Sequence, residues 1–111
     1  NWCEPYGVAP EDNYILQCGS IAELVKRQDQ EVLKMIVSRY CELREEAWSD
    51  EHINELIDGY EVDIYQSGAY LREMERWPDG TYNDPEKGLA DFRKYVLERL
   101  YHTDMYYANL Y

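Results

Sequence analysis

Only two histidines and three cysteines stand in this chain, and none is spaced as a metal ligand would be. Cys3, Cys18 and Cys41 include no Cys-x-x-Cys pair, and no histidine follows at zinc-finger spacing, so a structural zinc site is excluded. Neither His52 nor His102 has a glutamate three residues before it, which removes the helical Glu-x-x-His metal motif. No glycine-rich phosphate loop is present. Ser20, Ser38, Ser49 and Ser67 lack the Gly-x-Ser-x-Gly setting of a nucleophile elbow. No apolar run approaches the roughly 20 residues that span a bilayer. Positive charge is scarce as well: 11 basic residues face 23 acidic ones, for a net charge of −12. An anionic surface disfavours direct binding to phosphate backbones and to anionic membranes. The sequence thus names no catalytic, cofactor-binding or metal-ligating residue.

Two weak constellations have plainer explanations. His52 lies beside Asp50, Glu51 and Glu55, which is a solvated first helical turn before it is a metal or acid–base cluster. The loop Asp79-Gly80-Thr81-Tyr82-Asn83-Asp84 carries oxygen ligands but neither the EF-hand spacing nor its closing glutamate. The acidic excess reads first as outward helix faces. A nucleic-acid mimic is the alternative, and the interleaving of bases with acids over Arg44-Glu45-Glu46 and Arg72-Glu73-Met74-Glu75-Arg76 speaks against it.

The apolar fraction of 45% and charged fraction of 31% are those of a globular protein. A chain of 111 residues makes one domain. Its opening at Asn1 rather than methionine is expected of a mature form, an excised domain or a proteolytic piece. The stretch from Ser49 to Pro78 predicts one long helix. Ile53, Ile57, Tyr60, Ile64, Leu71 and Met74 recur at helical spacing, and only Ser67 interrupts the stripe. Ser49 is its N-cap, and Pro78 with Gly80 ends it. Gly59 and Gly68 inside that helix predict close approach of another helix. If the Trp77 ring is buried, Trp77→Ala costs about 3–5 kcal/mol.

Residues 1–19 read as an irregular arm whose Trp2, Tyr6, Tyr14, Ile15 and Leu16 pack onto helices. Cys3 and Cys18 could close it as a disulfide in a secreted protein; the alternative is three free thiols, with Cys41 half-buried. Ser20-Ile21-Ala22-Glu23 has the form of a capping box and opens a short helix to about Arg27. Asp29 caps a second helix to about Ala47, with Leu33, Ile36, Tyr40, Leu43 and Ala47 inward. The short turn at Trp48 makes it antiparallel to the long helix. Asp84 and Pro85 open a last helix to about Tyr107, with the stripe Leu89, Phe92, Val96 and Leu100. The expected fold is all-α: an antiparallel three-helix bundle over residues 20–107, with a short extra N-terminal helix and the arm. The twelve tyrosines, Tyr106 and Tyr107 in the tail among them, suit either an interaction surface or the edge of a core.

Several short motifs fall in a familiar order. Arg39-Tyr40-x-Glu42-Leu43-Arg44, Trp48-Ser49, Ile53-Asn54-x-Leu56-Ile57-Asp58 and Arg76-Trp77-Pro78 resemble the C-terminal helical part of the CotH family. These are atypical, spore-coat-type protein kinases, also found as domains of secreted bacterial proteins. Asp29-x-Glu31 resembles the opening of the family's first such helix, and Tyr95-x-x-x-Arg99-x-x-x-x-Asp104 resembles its closing motif. The resemblance covers about residues 20–105. Departures matter more for function: the nucleotide-binding lysine and most of the kinase lobe would lie upstream of Asn1. Asn1-Trp2-Cys3-Glu4-Pro5-Tyr6-Gly7 has the outline of the family's metal-binding segment, with Asn1 and Cys3 at the aspartate positions.

The resemblance therefore implies a non-catalytic helical module that packs on an upstream kinase-like portion or a protein partner, at a secreted, cell-surface or spore-surface location. An acidic inhibitor or adaptor protein is the alternative, and an active kinase a third. Arg39, Arg76, Trp77 and Arg99 are expected to lock the helices. Tyr40, Trp48, Asp104, Tyr106 and Tyr107 complete the candidates for structure and interaction.

Overall fold

The computed structural model describes residues 9–12, 16, 19–80 and 84–111. All regular structure among them is helical, so the chain is all-α. In chain order the helices are α1 (Gly19–Lys26), α2 (Gln30–Glu45), α3 (Asp50–Tyr60), a π-helical segment (Glu61–Gln66), α4 (Ala69–Arg76) and α5 (Pro85–Ala108).

Three helix starts follow from side-chain chemistry. Asp29 accepts from the amides of Glu31 and Val32 at 3.1 Å each, Ser49 Oγ from the His52 amide at 3.2 Å, and Asp84 from the Lys87 amide at 3.0 Å. Each bond satisfies an amide that the helix itself leaves unpaired. Pro85 occupies the first turn of α5, where its missing N–H costs nothing. At α1 the expectation shifts. The helix opens at Gly19, which adopts φ +28°, so Ser20 lies inside the first turn instead of capping it.

The long helix expected from Ser49 to Pro78 is interrupted. After Tyr60 the hydrogen bonding widens, and the Ser67 amide donates to Val62 O, five residues back, at 3.1 Å. Ser67 Oγ donates to Asp63 O at 2.6 Å, a side-chain bond that competes with the helical ladder. Gly68 then turns through φ +79° and α4 begins. A π turn adds a residue to the helical repeat, so the face presented afterwards is rotated from the 3.6-residue register. Along the expected stripe Ile57 is buried, whereas Tyr60 before the π segment and Ile64 and Leu71 after it are exposed. The structure also corrects the reading of the glycines. No neighbouring atom lies within 4 Å of where a Gly59 Cβ would stand, and Gly68 serves a left-handed turn that only glycine adopts cheaply.

α5 is the element against which both α2 and α3 pack. The buried apolar residues are Leu33 and Tyr40 from α2 and Ile57 from α3. Ala47 and Phe92, expected inward, are exposed, and so is Cys41. Cys3 and Cys18, with the disulfide they could form, lie outside the described residues, as do Trp2, Tyr6, Tyr14, Ile15 and the metal-segment outline at residues 1–7. The chain measures 52 × 27 × 19 Å with a radius of gyration of 17.3 Å. A compact domain of 100 residues has about 13 Å.

Candidate functional site

The densest polar arrangement links α2, the start of α3 and the end of α5. Arg44 sits one turn after Tyr40 on the inward face of α2. Its Nε donates to Asp104 Oδ1 at 2.8 Å and its Nη2 to Asp104 Oδ2 at 3.0 Å, the forked pairing that guanidinium and carboxylate geometries favour. Nη2 also donates to Asp50 Oδ1 at 2.7 Å, and Nη1 donates to the Trp48 carbonyl. The Tyr40 hydroxyl donates to Asp104 Oδ1 at 2.6 Å. The Tyr40 ring stacks on Tyr107 with centroids 3.9 Å apart and meets the Trp48 ring edge-on at 6.4 Å.

The electrostatics follow from this geometry. Burial raises the Tyr40 phenol far above its ordinary range, and the bond to Asp104 and that carboxylate's charge push the same way. Burial disfavours the Arg44 charge, but its bonds to Asp104 and Asp50 outweigh that cost and hold the guanidinium more firmly protonated than usual. Burial also raises Tyr106 and Tyr107. Tyr40, Arg44, Cys41, Asp104 and Tyr107 line a groove of about 310 Å³.

Chemically this is a tie between helices. Arg44 directs four of its five N–H donors to two carboxylates and a carbonyl, and a phenol so strongly protonated is a poor base at neutral pH. Among the described residues no group of three or more His, Cys, Asp or Glu side chains is placed to hold a metal ion. No helix of these residues is long and apolar enough to cross a membrane.

A second tie joins α5 to α3. Arg93 Nη1 donates to Asn54 Oδ1 at 2.7 Å and its Nη2 to Asp58 Oδ1 at 2.6 Å. A third ties α5 to residues 10–12: Arg99 Nη1 donates to Pro10 O at 3.1 Å and to Asp12 O.

The expected lock is thus distributed differently. Tyr40, Trp48, Asp104 and Tyr107 come together around Arg44, and Tyr106 meets Tyr107 edge-on at 5.5 Å. Arg99 bonds to Pro10 and Asp12 rather than to a neighbouring helix. Arg39 pairs with Glu42 on its own helix at 2.8 Å, in solvent, and so joins nothing to α2. Arg76 lies over the adjacent Trp77 ring at 5.6 Å, at the exposed end of α4. Among the described residues Arg44 and Arg93 join helices, and neither is among the expected locks. The signal for them was available. Arg93 falls on the apolar stripe of α5 between Leu89 and Val96, and Asp104 continues it one turn after Leu100. A charge on an inward stripe needs a partner.

No family model, curated protein or solved structure matches this chain.

Proposed function

We propose that this chain is a non-catalytic, acidic helical module, resembling the C-terminal part of a CotH-type kinase, that works by packing on an upstream kinase-like portion or on a protein partner. The observation that carries this reading is the apolar surface left uncovered. Leu56, Val62, Ile64, Leu71, Trp77 and Phe92 are all exposed, while only Leu33, Tyr40 and Ile57 are buried apolar residues among those described. The accessible surface is 8338 Å², against about 6,500 Å² for a monomer of 13.3 kDa. Large exposed apolar area marks surfaces that pair with another protein. In this reading α2, the α3 run and α5 form the antiparallel three-helix bundle, with α1 as the short extra helix. The Arg44 and Arg93 ties fix those helices so that the open faces stay presented.

In this reading the module does not transfer phosphate: that chemistry depends on metal-held, positioned phosphates, and the sequence carries Asn1 and Cys3 where the resembling family's metal-binding segment has aspartates. Thermal unfolding of the isolated chain by circular dichroism is expected to be the same with and without Mg-ATP. An upward shift would replace this reading with that of a nucleotide-binding enzyme. Mixing the chain with a CotH-type kinase portion that lacks its own C-terminal helices is expected to slow amide exchange around Leu56 and Phe92. Unchanged exchange would remove the packing role.

A further inference from the structure

The groove between the π segment and the start of α5 combines aromatic rings, an apolar floor and uncompensated negative charge. It holds about 370 Å³ and is lined by Glu61, Tyr65, Tyr70, Pro85, Glu86 and Leu89, among others. The Tyr65 and Tyr70 rings stack with centroids 4.9 Å apart. They meet because the π turn and the Ser67-Gly68 break re-aim the chain between them; π turns are rare and concentrate at functional sites. Glu61 stands on one wall and Glu86 on the other, and neither is in an ion pair among the described residues. Lys87, next to Glu86 in the chain, donates to Asp91 at 2.6 Å, and Arg72, whose Nη1 donates to Ser67 O at 3.3 Å, does not line the groove. The positive end of α5 also faces this region, with roughly half a charge, and the carboxylates of Asp84 and Glu86 outweigh it.

We propose that this groove docks a basic segment of a partner protein, seating a lysine or arginine against the tyrosine pair with its stem over Leu89 and Pro85. Charge complementarity selects this occupant. An anionic segment would meet Glu61 and Glu86, and a purely apolar one would leave both carboxylates stripped of water without a partner. Tyrosine faces attract a cation directly, and a lysine or arginine stem covers apolar surface while its head reaches the acids. The inference rests on the reading of the chain as a binding module and adds the chemistry of what is bound.

The test is an NMR titration of the full chain with two capped peptides, Leu-Lys-Leu-Lys-Leu-Lys and Leu-Glu-Leu-Glu-Leu-Glu. The lysine peptide is expected to shift the resonances of Tyr65, Tyr70 and Leu89, and the glutamate peptide to leave them unmoved. The pair Glu61→Gln/Glu86→Gln is expected to weaken the lysine peptide by about tenfold, while Glu45→Gln/Glu75→Gln, with the same change in net charge, weakens it less than about threefold. Should the first pair melt early, Tyr65→Leu decides, with an expected loss of about fivefold. Equal weakening by both glutamate pairs, shifts centred elsewhere, or no binding at about millimolar peptide would overturn the proposal. If exchange protection by the kinase portion survives such a result, the groove assignment falls and the packing role stands.

Discussion

Arg44 on α2 and Asp104 on α5 stand 60 positions apart and share two hydrogen bonds, at 2.8 and 3.0 Å. Arg44 is largely covered, whereas Asp104 is part-exposed, so removing the carboxylate leaves behind the group that water reaches less easily. Asp104→Ala takes acceptors from Arg44 and Tyr40 at once and leaves a covered guanidinium with Asp50 and a carbonyl. The expected loss is about 2 kcal/mol in urea unfolding, the usual scale for bonds to a charged group. Arg39→Ala, which breaks an exposed pair within one helix, is expected to change stability by less than about 0.5 kcal/mol. Equal losses from the two variants would show that the Arg44 tie does not hold α2 to α5.

The contrast between these arginines marks what could be read from the residues. Helix starts are local events, and Asp29, Ser49 and Asp84 announced theirs because the capping oxygen and the amide it meets are two or three residues apart. Pairing across the fold is different. With 23 carboxylates available to 11 cations, composition does not say which pair meets. Only the position of Arg93 and Asp104 on an apolar stripe carried that information. The break at Ser67-Gly68 was legible too, since a serine–glycine pair marks turns. The strong apolar period on either side concealed it, because periodicity does not reveal a change of phase. For the groove, the same phase change decides which tyrosines meet, so Tyr65 and Tyr70 could not be paired beforehand.

The two glycines of this region should respond in opposite directions. Gly68 has φ +79°, and an added Cβ would also stand 3.3 Å from the Arg72 guanidinium. Gly68→Ala is expected to destabilise by about 1 kcal/mol, the scale of left-handed backbone strain. At Gly59 the backbone is helical and the space open, so Gly59→Ala is expected to stabilise by about 0.5–1 kcal/mol through helix propensity. Thermal melts of the two variants should fall on either side of the parent. Two destabilised variants would mean that Gly59 is covered by a neighbour after all.

Trp77 carries less of the fold than its size suggests. The residue is 55% exposed, and Arg76, which lies over its ring, is its own neighbour in the chain. Trp77→Ala is expected to cost about 1 kcal/mol, compared with the 3–5 kcal/mol of a buried ring. Tryptophan fluorescence offers an independent check, since an exposed indole is readily quenched by iodide. A loss above about 3 kcal/mol would place that ring inside a core.

Alkaline pH should reveal the Tyr40–Asp104 bond. In the unfolded chain a tyrosine loses its proton near pH 10, while in the folded protein burial and the Asp104 carboxylate keep the Tyr40 phenol neutral well above that. Above about pH 10 the native state therefore binds more protons than the unfolded one, and stability must fall as pH rises. Below that pH both states are protonated at Tyr40 and the contribution is fully present. Tyr65, Tyr106 and Tyr107 are raised by burial as well and act in the same direction. Urea midpoints measured from pH 8 to 12 are thus expected to be flat at first and to decline beyond pH 10. Tyr40→Phe, which removes the titrating group and leaves the ring to stack on Tyr107, is expected to be less stable at pH 8 and to decline less steeply. A decline of unchanged slope in Tyr40→Phe would assign the alkaline loss to the other tyrosines.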